Sequence, residues 1–280
     1  MNIIITGAKG FIGKILVKKL NENNNVVRLI NGNSYFKNDN EIICNLIDEN
    51  HVSSFLEEDI EVDVIIHAAS ILASSKNINH LSLFYDNIKM YENLLLIIEK
   101  YNPKKVLNLS SIAVYPNKDG EYFENSEIKP SLNNEGLYGL SKFCGENILD
   151  FFYKNSSLCI THLRISQVYG KGVRDDRIFK IMRKELEDVN SITVFGEGRR
   201  VSNFIEINSL IEKLVYCIEN TLPGIFNIGD KNLSYYDLAQ DIIDKHGNLK
   251  STIKLVDKGV ASKTYINCEK FKNKRTEYGM

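Results

Sequence analysis

Short apolar runs alternate with segments of helical periodicity through the first half of the chain. The runs expected to form strands are Ile3–Ile5, Val26–Ile30, Val62–Ala69, Lys105–Ser110 and Leu158–Ile165. Between them, apolar residues recur at helical spacing over Phe11–Leu20 and Asn87–Lys100. Wholly apolar strands that alternate with helices are typical of a parallel sheet covered on both faces. The pattern therefore predicts an α/β fold with a doubly wound parallel sheet.

The pattern loosens after Val168, where glycines and charged residues cluster at Gly170–Arg177 and Gly196–Arg200. Two later apolar runs, Asn203–Ile207 and Ile225–Ile228, fit either a return to the sheet or a small second lobe. We expect one domain of residues 1–165, to which residues 203–228 return, and a smaller lobe of residues 166–202 and 229–280.

Composition narrows the class of ligand. The 280 residues carry a formal net charge of −1, whereas a protein that binds duplex nucleic acid needs a basic face. No apolar run approaches the roughly 20 residues that span a bilayer. The opening run Asn2–Ile5 is also too short for a secretion signal. We expect a cytoplasmic protein with a small-molecule ligand, bound to neither nucleic acid nor membrane.

The five cysteines lie far apart in the sequence, and none forms a Cys-x-x-Cys pair. They are Cys44, Cys144, Cys159, Cys217 and Cys268. An odd, scattered set of this kind predicts reduced thiols rather than disulfides or structural zinc, and we expect no metal site.

Three glycines, Gly7, Gly10 and Gly13, connect the first predicted strand to the first predicted helix. A helix N-terminus in this position offers unpaired N–H groups and the positive end of the helix dipole, both of which favour phosphate. Gly7 permits a tight turn, Gly10 lets a pyrophosphate approach the backbone, and Gly13 lets the helix pack closely on the strand. The spacing Gly-x-x-Gly-x-x-Gly therefore predicts a dinucleotide site, although a plain turn also uses glycines.

The end of the second strand bears on the choice of dinucleotide. An acidic residue there normally binds the adenosine ribose of NAD. This chain has Asn31 at that place, with Arg28 and Lys37 nearby, so no carboxylate would repel a 2′-phosphate. The sequence therefore favours NADP(H) over NAD(H).

Three residues suit proton transfer coupled to hydride transfer. Tyr138 and Lys142 stand four residues apart, on one face of a predicted helix. A free tyrosine has a pKa of about 10, which a nearby ammonium and a positive nicotinamide ring would lower. Such a phenol can give a proton to a carbonyl that receives hydride. Ser111 follows an apolar strand, at the edge where α/β sheets bind ligands, and its hydroxyl suits a hydrogen bond to the reacting oxygen.

Two other Tyr-x-x-x-Lys pairs occur, and we interpret both as ordinary helix-surface pairs: Tyr85/Lys89 and Tyr101/Lys105. The pair at Tyr138 differs because small residues flank it, namely Gly139, Ser141 and Gly145. Glycine inside a helix costs about 1 kcal/mol relative to alanine, which indicates that something packs closely there.

Together these residues resemble the extended short-chain dehydrogenase/reductase superfamily, in its nucleotide-sugar epimerase/dehydratase branch. The segments that carry the resemblance are Thr6–Gly13, His67–Ala69, Leu109–Tyr115, Tyr138–Lys142, Leu163–Gly170, Gly196–Ile205 and Phe226–Gly229. They are spread over almost the whole chain. The resemblance implies a Rossmann domain with a small C-terminal lobe for a nucleotide sugar, and a homodimer paired through a four-helix bundle.

The resemblance also assigns residues to the ligands. For the cofactor it implies Gly7, Gly10, Phe11, Ile12, Gly13, Asn31, Asn45, Leu46, Ala68, Ala69, Asn87, Tyr138 and Lys142. For the substrate it implies Ser111, Gln167, Arg199 and Arg200. Guanidinium groups suit diphosphate oxygens, but either arginine also fits a solvated loop charge, and Gln167 also fits a structural role. The mixed-charge run Lys171–Arg177 is interpreted as solvated surface.

Departures from the family's motifs narrow the reaction. Sugar 4,6-dehydratases resemble Thr-Asp-Glu-Val-Tyr at the serine strand, and here Ile112 and Ala113 replace the acid and base of water elimination. The 3,5-epimerases add a cysteine and a histidine. Here Ala113 occupies the cysteine place, and His162 lies in an apolar strand as a packed core residue. Both reactions are therefore disfavoured.

Two chemistries remain for a serine, tyrosine and lysine alone. We expect NAD(P)H-dependent reduction of a 4-keto-6-deoxy sugar nucleotide, because Asn31 and Asn45 replace acidic residues at the cofactor and the second lobe is short. The first alternative is a nucleotide-sugar 4-epimerase that holds NAD tightly. The second is a non-catalytic regulator that senses NADP, against which the Tyr138/Lys142 pair argues.

Overall fold

A computed structural model describes residues 1–277, so the last three residues of the predicted segment 229–280 lie outside the described part. The strands are β1 Asn2–Thr6, β2 Asn25–Ile30, β3 Phe36–Asn38, β4 Glu41–Ile43, β5 Val64–His67, β6 Lys105–Ser111, β7 Gly120–Tyr122, β8 Cys159–Ile165, β9 Gln167–Tyr169, β10 Ser191–Phe195, β11 Val201–Glu206, β12 Gly224–Ile228, β13 Lys231–Ser234, β14 Thr252–Val256 and β15 Thr264–Ile266. The helices are α1 Phe11–Leu20, α2 Glu49–Leu56, α3 Leu81–Tyr101, α4 Gly136–Tyr153, α5 Ile178–Val189, α6 Ile207–Glu219, α7 Tyr235–His246 and α8 Glu269–Glu277.

Eight strands form one sheet in the order β12–β8–β6–β5–β1–β2–β4–β3. Neighbouring strands are parallel except β3 and β4. Apolar side chains cover both faces, with α1 and α6 on one side and α2, α3 and α4 on the other. The predicted doubly wound parallel sheet is confirmed.

The predicted elements of the first half all occur, as β1, β2, β5, β6, β8, α1 and α3. Helix α1 has the predicted bounds, whereas α3 begins at Leu81 rather than Asn87. The sequence analysis assigned no structure to β3, β4 or α2. Helix α2 begins where the Asp48 carboxylate accepts hydrogen bonds from the N–H groups of Asn50 and His51, and a single Asp is a weak signal for such a cap.

A second, smaller sheet consists of β13, β11 and β9, and β10 pairs with β14 beside it. Helices α5 and α7 pack there around a separate apolar core that includes Met182 and Leu238. Strand β11 contributes to both cores, because Phe204 lies in the small core and Ile205 lies in the core of the large sheet. Within residues 203–228, β11 therefore pairs in the small sheet, while α6 and β12 pack with the large one. The proposed division into two lobes stays a prediction.

One ion pair is buried where β6, β8 and α4 meet. Arg164 donates from Nε and Nη2 to the two carboxylate oxygens of Glu146, at 3.0 and 2.7 Å, and both side chains are 2% exposed. Ser110 donates from Oγ to the same carboxylate at 2.5 Å. Arg164 Nη1 donates to the Tyr115 hydroxyl at 2.9 Å. Removing one partner of such a pair costs about 3–5 kcal/mol, because the other charge is left buried and unpaired.

Within residues 1–277, no helix combines the length and the apolar character needed to cross a membrane. The five cysteines form no disulfide there.

Small residues on α4 allow neighbouring elements to pack closely, as the sequence predicts. A Cβ atom added at Gly139 would lie 2.0 Å from the carbonyl oxygen of Ala113. One added at Gly145 would lie 2.0 Å from the ring of Tyr91, which is buried on α3 and donates a hydrogen bond to Asn108 Oδ1 at 3.0 Å. The ring is therefore fixed at both its face and its hydroxyl.

Gly145→Ala should lower the free energy of unfolding by about 1–3 kcal/mol, as overpacking of a filled core does. The intrinsic helix preference of alanine would by itself raise it by about 1 kcal/mol, so the sign tests the contact with Tyr91. Urea unfolding measures the difference. The matched control is Asn147→Ala at an exposed position of α4, which should change stability by no more than about 0.5 kcal/mol. A Gly145→Ala protein as stable as the parent would contradict the packing.

Candidate active site

The glycine turn after β1 is pressed against the segment that follows β5. Gly7 has φ +66°, a conformation that favours glycine, and a Cβ atom there would lie 2.7 Å from the backbone nitrogen of Ala69. A Cβ atom at Gly13 would lie 2.3 Å from the Gly7 carbonyl oxygen. No side chain caps the N-terminus of α1. The first N–H groups of α1 are thus left to bind a phosphate, and the turn fits the pyrophosphate of a dinucleotide.

Side-chain hydrogen bonds hold the segment after β5 in place. Thr6 Oγ1 accepts from the Ala69 N–H at 3.1 Å and lies 3.0 Å from His67 Nδ1. Asn87, predicted to contact the cofactor, is buried and bonds both backbone groups of Ile71, at 2.8 and 3.0 Å. The Asn87 amide therefore supports the loop, and nothing in this geometry aims it at a ligand. The sequence analysis missed Ser70, whose hydroxyl also bonds Asn87, although it directly follows the matching motif His67–Ala69.

The structure brings Ser111, Tyr138 and Lys142 together. Ser111 ends β6, and its Oγ accepts a hydrogen bond from the Ala113 N–H at 3.1 Å. Tyr138 and Lys142 are buried on the inner face of α4, and the lysine Nζ lies 5.8 Å from the centre of the tyrosine ring. Nζ lies equally far, 5.8 Å, from the ring centre of Tyr91, a neighbour that the sequence analysis missed because no motif marks it.

Burial is the largest influence on the pKa values of Tyr138 and Lys142. It lowers the pKa of Lys142 to about 8, against the opposing effect of Glu146. It raises the pKa of Tyr138, and interactions with the Ser70 and Ser111 side chains oppose that rise. From the sequence, Lys142 together with a positive nicotinamide ring is expected to lower the pKa of the phenol. Among the groups of the chain alone, the loss of solvent is the largest influence and favours the protonated phenol.

No hydrogen bond or ion pair within residues 1–277 engages the Lys142 ammonium, although the residue is only 2% exposed. The side chain is buried between the rings of Tyr91 and Tyr138, and its Nζ makes no hydrogen bond within the described chain, so the hydroxyls of a nicotinamide ribose are suitable acceptors for it. Together with the glycine turn, it fits a nicotinamide dinucleotide that runs from Gly7 to Tyr138.

An ion pair near Tyr138 links the segment before α5 to the segment before α4. Arg177, which precedes α5, donates from Nη1 to the carboxylate of Glu135, which precedes α4, at 2.9 Å. Both act on the Tyr138 phenol, since the carboxylate raises its pKa and the guanidinium lowers it. The run Lys171–Arg177 is largely solvated as interpreted, but Arg177 at its end is only partly exposed and has a long-range partner in Glu135.

Of the three residues predicted to bind substrate in the second lobe, two contact the same tyrosine. Gln167 donates to Ser202 Oγ at 3.0 Å and to the Tyr235 hydroxyl at 3.4 Å, and the Arg200 guanidinium lies 4.7 Å over the Tyr235 ring. Gln167 and Arg200 thus share one neighbour. Arg199 is instead mostly exposed and paired with Glu197 at 3.2 Å. A substrate role for any of them stays a prediction.

The residues predicted to bind the adenosine half of the cofactor give less support for NADP than the sequence suggests. Asn31 is exposed, and Leu46 is buried with its carbonyl bonded to Asn93. Asn45 Oδ1 accepts from the Ile47 N–H at 3.2 Å. The two basic residues are already paired, Arg28 with Glu41 at 3.6 Å and Lys37 with Glu58. Neither cation is free for a 2′-phosphate.

His162, expected to be a core residue, is fully buried on β8. Its Nδ1 lies 3.0 Å from Asn108 Nδ2, and its Nε2 lies 3.0 Å from Asp150 Oδ1. Because Asn108 Oδ1 accepts from Tyr91, Nδ2 is the donor, and the histidine is held by its neighbours on both sides. The prediction of a packed core residue is confirmed.

A Rossmann fold with a serine, tyrosine and lysine at the carboxyl edge of its sheet defines an oxidoreductase of the short-chain dehydrogenase type. The chain belongs to the NAD dependent epimerase/dehydratase family, whose model matches residues 3–229. It is thus a nucleotide-sugar enzyme of the epimerase/dehydratase type, and the prediction of an enzyme is confirmed.

Individual relatives cover nearly the whole chain. An uncharacterized UDP-glucose epimerase of Bacillus subtilis is 26% identical over 293 residues, 97% of this chain and 91% of the relative. GDP-L-colitose synthase of Yersinia pseudotuberculosis is 26% identical over 269 residues, 88% and 83% respectively. The crystal structure of UDP-glucuronic acid 4-epimerase from Bacillus cereus in complex with NAD has a TM-score of 0.80 at 25% identity, covering 98% of this chain and 92% of that one.

Gly10→Val should weaken dinucleotide binding at least tenfold, about 1.4 kcal/mol, by filling the space beside the first N–H groups of α1. A Cβ atom at Gly10 would lie 3.0 Å from the Gly7 carbonyl oxygen, a tight contact, so circular dichroism must first show that the variant is folded. Calorimetric titration with NAD and with NADP measures the affinity. Lys18→Ala, exposed on the same helix, is the control. Unchanged affinity in a folded Gly10→Val protein would place the cofactor elsewhere.

Proposed function

We propose that the protein is an NAD-dependent nucleotide-sugar 4-epimerase. The observation that carries the proposal is the grouping of the Lys142 ammonium, the Tyr138 phenol and the Ser111 hydroxyl at the same sheet edge as the glycine turn. When bound there, NAD would take a hydride from sugar C4 and return it. Gly7, Gly10, Gly13 and Lys142 would hold it, the glycines at the pyrophosphate and the lysine at the ribose.

The residues of the chain have separate tasks in this proposal. The Lys142 ammonium and the positive nicotinamide ring of NAD would favour the phenolate of Tyr138, which would take the proton from the sugar 4-hydroxyl and give it back to the ketone oxygen. Ser111 would donate a hydrogen bond to that oxygen, which stabilises the charge that develops on it. Lys142 would stabilise the phenolate while Tyr138 is deprotonated. No acid or base for water elimination is needed, which agrees with Ile112 and Ala113 beside the serine.

NAD is favoured over NADP because Arg28 and Lys37 each have a carboxylate partner. The family description names NAD as well. The preference for NADP that the sequence suggested is therefore not part of the proposal.

Reduction of a 4-keto sugar nucleotide, favoured by the sequence alone, remains the second candidate. The same three side chains serve it, because both reactions move one proton and one hydride. The two reactions differ in the fate of the reduced cofactor, which an epimerase keeps and a reductase exchanges at every turnover.

The deciding experiment offers UDP-glucose, UDP-N-acetylglucosamine and UDP-glucuronic acid to the purified protein. Interconversion of C4 isomers, followed by proton NMR, with no net change at 340 nm supports the epimerase. Steady loss of NADH or NADPH absorbance with 4-keto-6-deoxy sugar nucleotides supports the reductase instead. A protein that binds NAD but converts none of these sugars would contradict both.

Tyr138→Phe should lower kcat by about 10²–10⁴, the usual effect of losing a general acid, and leave NAD affinity nearly unchanged. The ring and its packing are retained, so only the proton is lost. Tyr85→Phe is the matched control, since Tyr85 begins another Tyr-x-x-x-Lys pair but is 61% exposed on α3. Near-normal turnover of Tyr138→Phe would remove the phenol from the mechanism.

We also propose that the protein is a homodimer. Large apolar side chains are exposed along the outer faces of α3 and α4, namely Leu81, Tyr85, Leu96, Leu140, Phe151 and Phe152. Two copies of this helix pair would form the four-helix bundle that the resemblance implies. Light scattering should report a dimer that Phe151→Glu converts to a monomer, and that Phe195→Glu, exposed in the second lobe, does not. A monomeric parent protein would contradict the proposal.

A further inference from the structure

The carboxylate of Glu146 lies one helical turn beyond Lys142 on α4, beneath the candidate active site. It accepts three hydrogen bonds, two from Arg164 at 3.0 and 2.7 Å and one from Ser110 at 2.5 Å. Residues four apart on a helix are neighbours, with Cβ atoms about 5–6 Å apart. The carboxylate is therefore held rigidly next to the stem of Lys142.

The surroundings of Lys142 otherwise disfavour a charge. Tyr91 faces it from α3 and Tyr138 from α4, and both phenols are uncharged because burial raises their pKa values. His67 faces it from β5, and burial, with the charge of Lys142, lowers the pKa of its imidazole to about 3, so it is neutral. Among the described residues that act on the ammonium, Glu146 alone is negative.

The second contact of the carboxylate leads to the serine. Ser110 precedes Ser111 on β6, and its hydroxyl bonds Glu146, so the carboxylate fixes the strand end from which Ser111 projects. Arg164 extends in the other direction, to the Tyr115 hydroxyl and the Glu124 carbonyl oxygen at 2.9 and 3.0 Å. The arrangement places the negative charge towards the site and the positive charge away from it.

We propose that Glu146 is a positioning residue of the site: its buried carboxylate keeps Lys142 in its charged form and, through Ser110, fixes the end of β6. The inference rests on the proposed function, in which a charged Lys142 stabilises the phenolate. A purely structural role is the competing explanation. Buried ion pairs are weak stabilisers compared with packed apolar residues, so stability alone does not account for this one.

The test measures the ionisation of Lys142 directly. Lysines labelled with ¹³C at Cε are titrated by NMR, and the Lys142 resonance is assigned by its loss in Lys142→Met. The midpoint should lie at about 8 in the parent protein. In Glu146→Gln it should fall by about 1–3 units, the usual effect of an opposite charge within about 4–6 Å. An unchanged midpoint in the folded variant overturns the proposal.

Two further variants separate charge from folding. Glu146→Leu combined with Arg164→Met removes both charges at once, and it should show the same fall in the Lys142 midpoint. A folded double variant whose Lys142 midpoint equals that of the parent overturns the proposal. Glu146→Asp keeps the charge and should restore most of the midpoint. Asp150→Asn, at an exposed carboxylate of the same helix, should leave the midpoint unchanged.

Activity gives the second readout. Charged Lys142 is lost as pH rises through its pKa, so the alkaline limb of the kcat profile should move to lower pH in Glu146→Gln by the same amount as the NMR midpoint. A parent protein without turnover on any nucleotide sugar defeats the proposed function, but the NMR titration still decides the effect of Glu146. Turnover with an unmoved alkaline limb defeats the inference alone.

Discussion

Parallel strands end at one edge of their sheet, and the whole candidate site depends on this constraint. Strand β1 lies at the centre, with β2 on one side and β5 on the other, so the chain reverses its order there. The glycine turn after β1, the loop after β5 and the serine at the end of β6 consequently meet, although more than a hundred residues separate the first from the last. Because Gly7 lies against Ala69, a side chain at position 7 would not fit. The glycine turn therefore depends on β5 lying next to β1.

Loss of solvent, more than any single charge, sets the chemistry of this edge. It pushes Tyr138 and Lys142 towards their neutral forms, a phenol and an amine. A neutral phenol is the form that donates a proton, so burial helps Tyr138 in one direction of the reaction. A neutral amine cannot stabilise the phenolate in the other direction. The chain opposes burial at the lysine with a buried carboxylate, and at the tyrosine with hydroxyls and the more distant Arg177.

Local patterns in the sequence were enough to predict what depends on neighbours along the chain. The bounds of α1, the apolar strands and the close packing at Gly139 and Gly145 follow from periodicity and residue size. Pairs between distant residues could not be predicted this way. Arg28 and Lys37 favoured NADP as isolated cations, but the carboxylates that hold them come from other segments.

The same limit explains the residues that sequence reasoning missed at the site. Arg177 sits in a charged run that is typical of solvated surface, and only its pairing with Glu135 across the fold places it beside the phenol. Tyr91 belongs to no motif, and its role depends on the space that Gly145 leaves. The sequence motif predicted Asn87 as a cofactor residue, but in the structure its amide bonds the backbone N–H and carbonyl of Ile71.

The choice between epimerase and reductase lies outside the serine, tyrosine and lysine, because both reactions move the same proton and hydride. An epimerase must hold its cofactor and its nucleotide while the sugar presents both faces of C4. In the proposed function, the groups that bind the nucleotide sugar come from the region of the small sheet, where Arg200 lies over Tyr235 and Arg199 is paired with Glu197. The Glu135–Arg177 pair connects the segment before α5 to the start of α4, next to the phenol. We therefore expect the space that this pair leaves above Tyr138 to limit how far the sugar can turn, and with it the reaction.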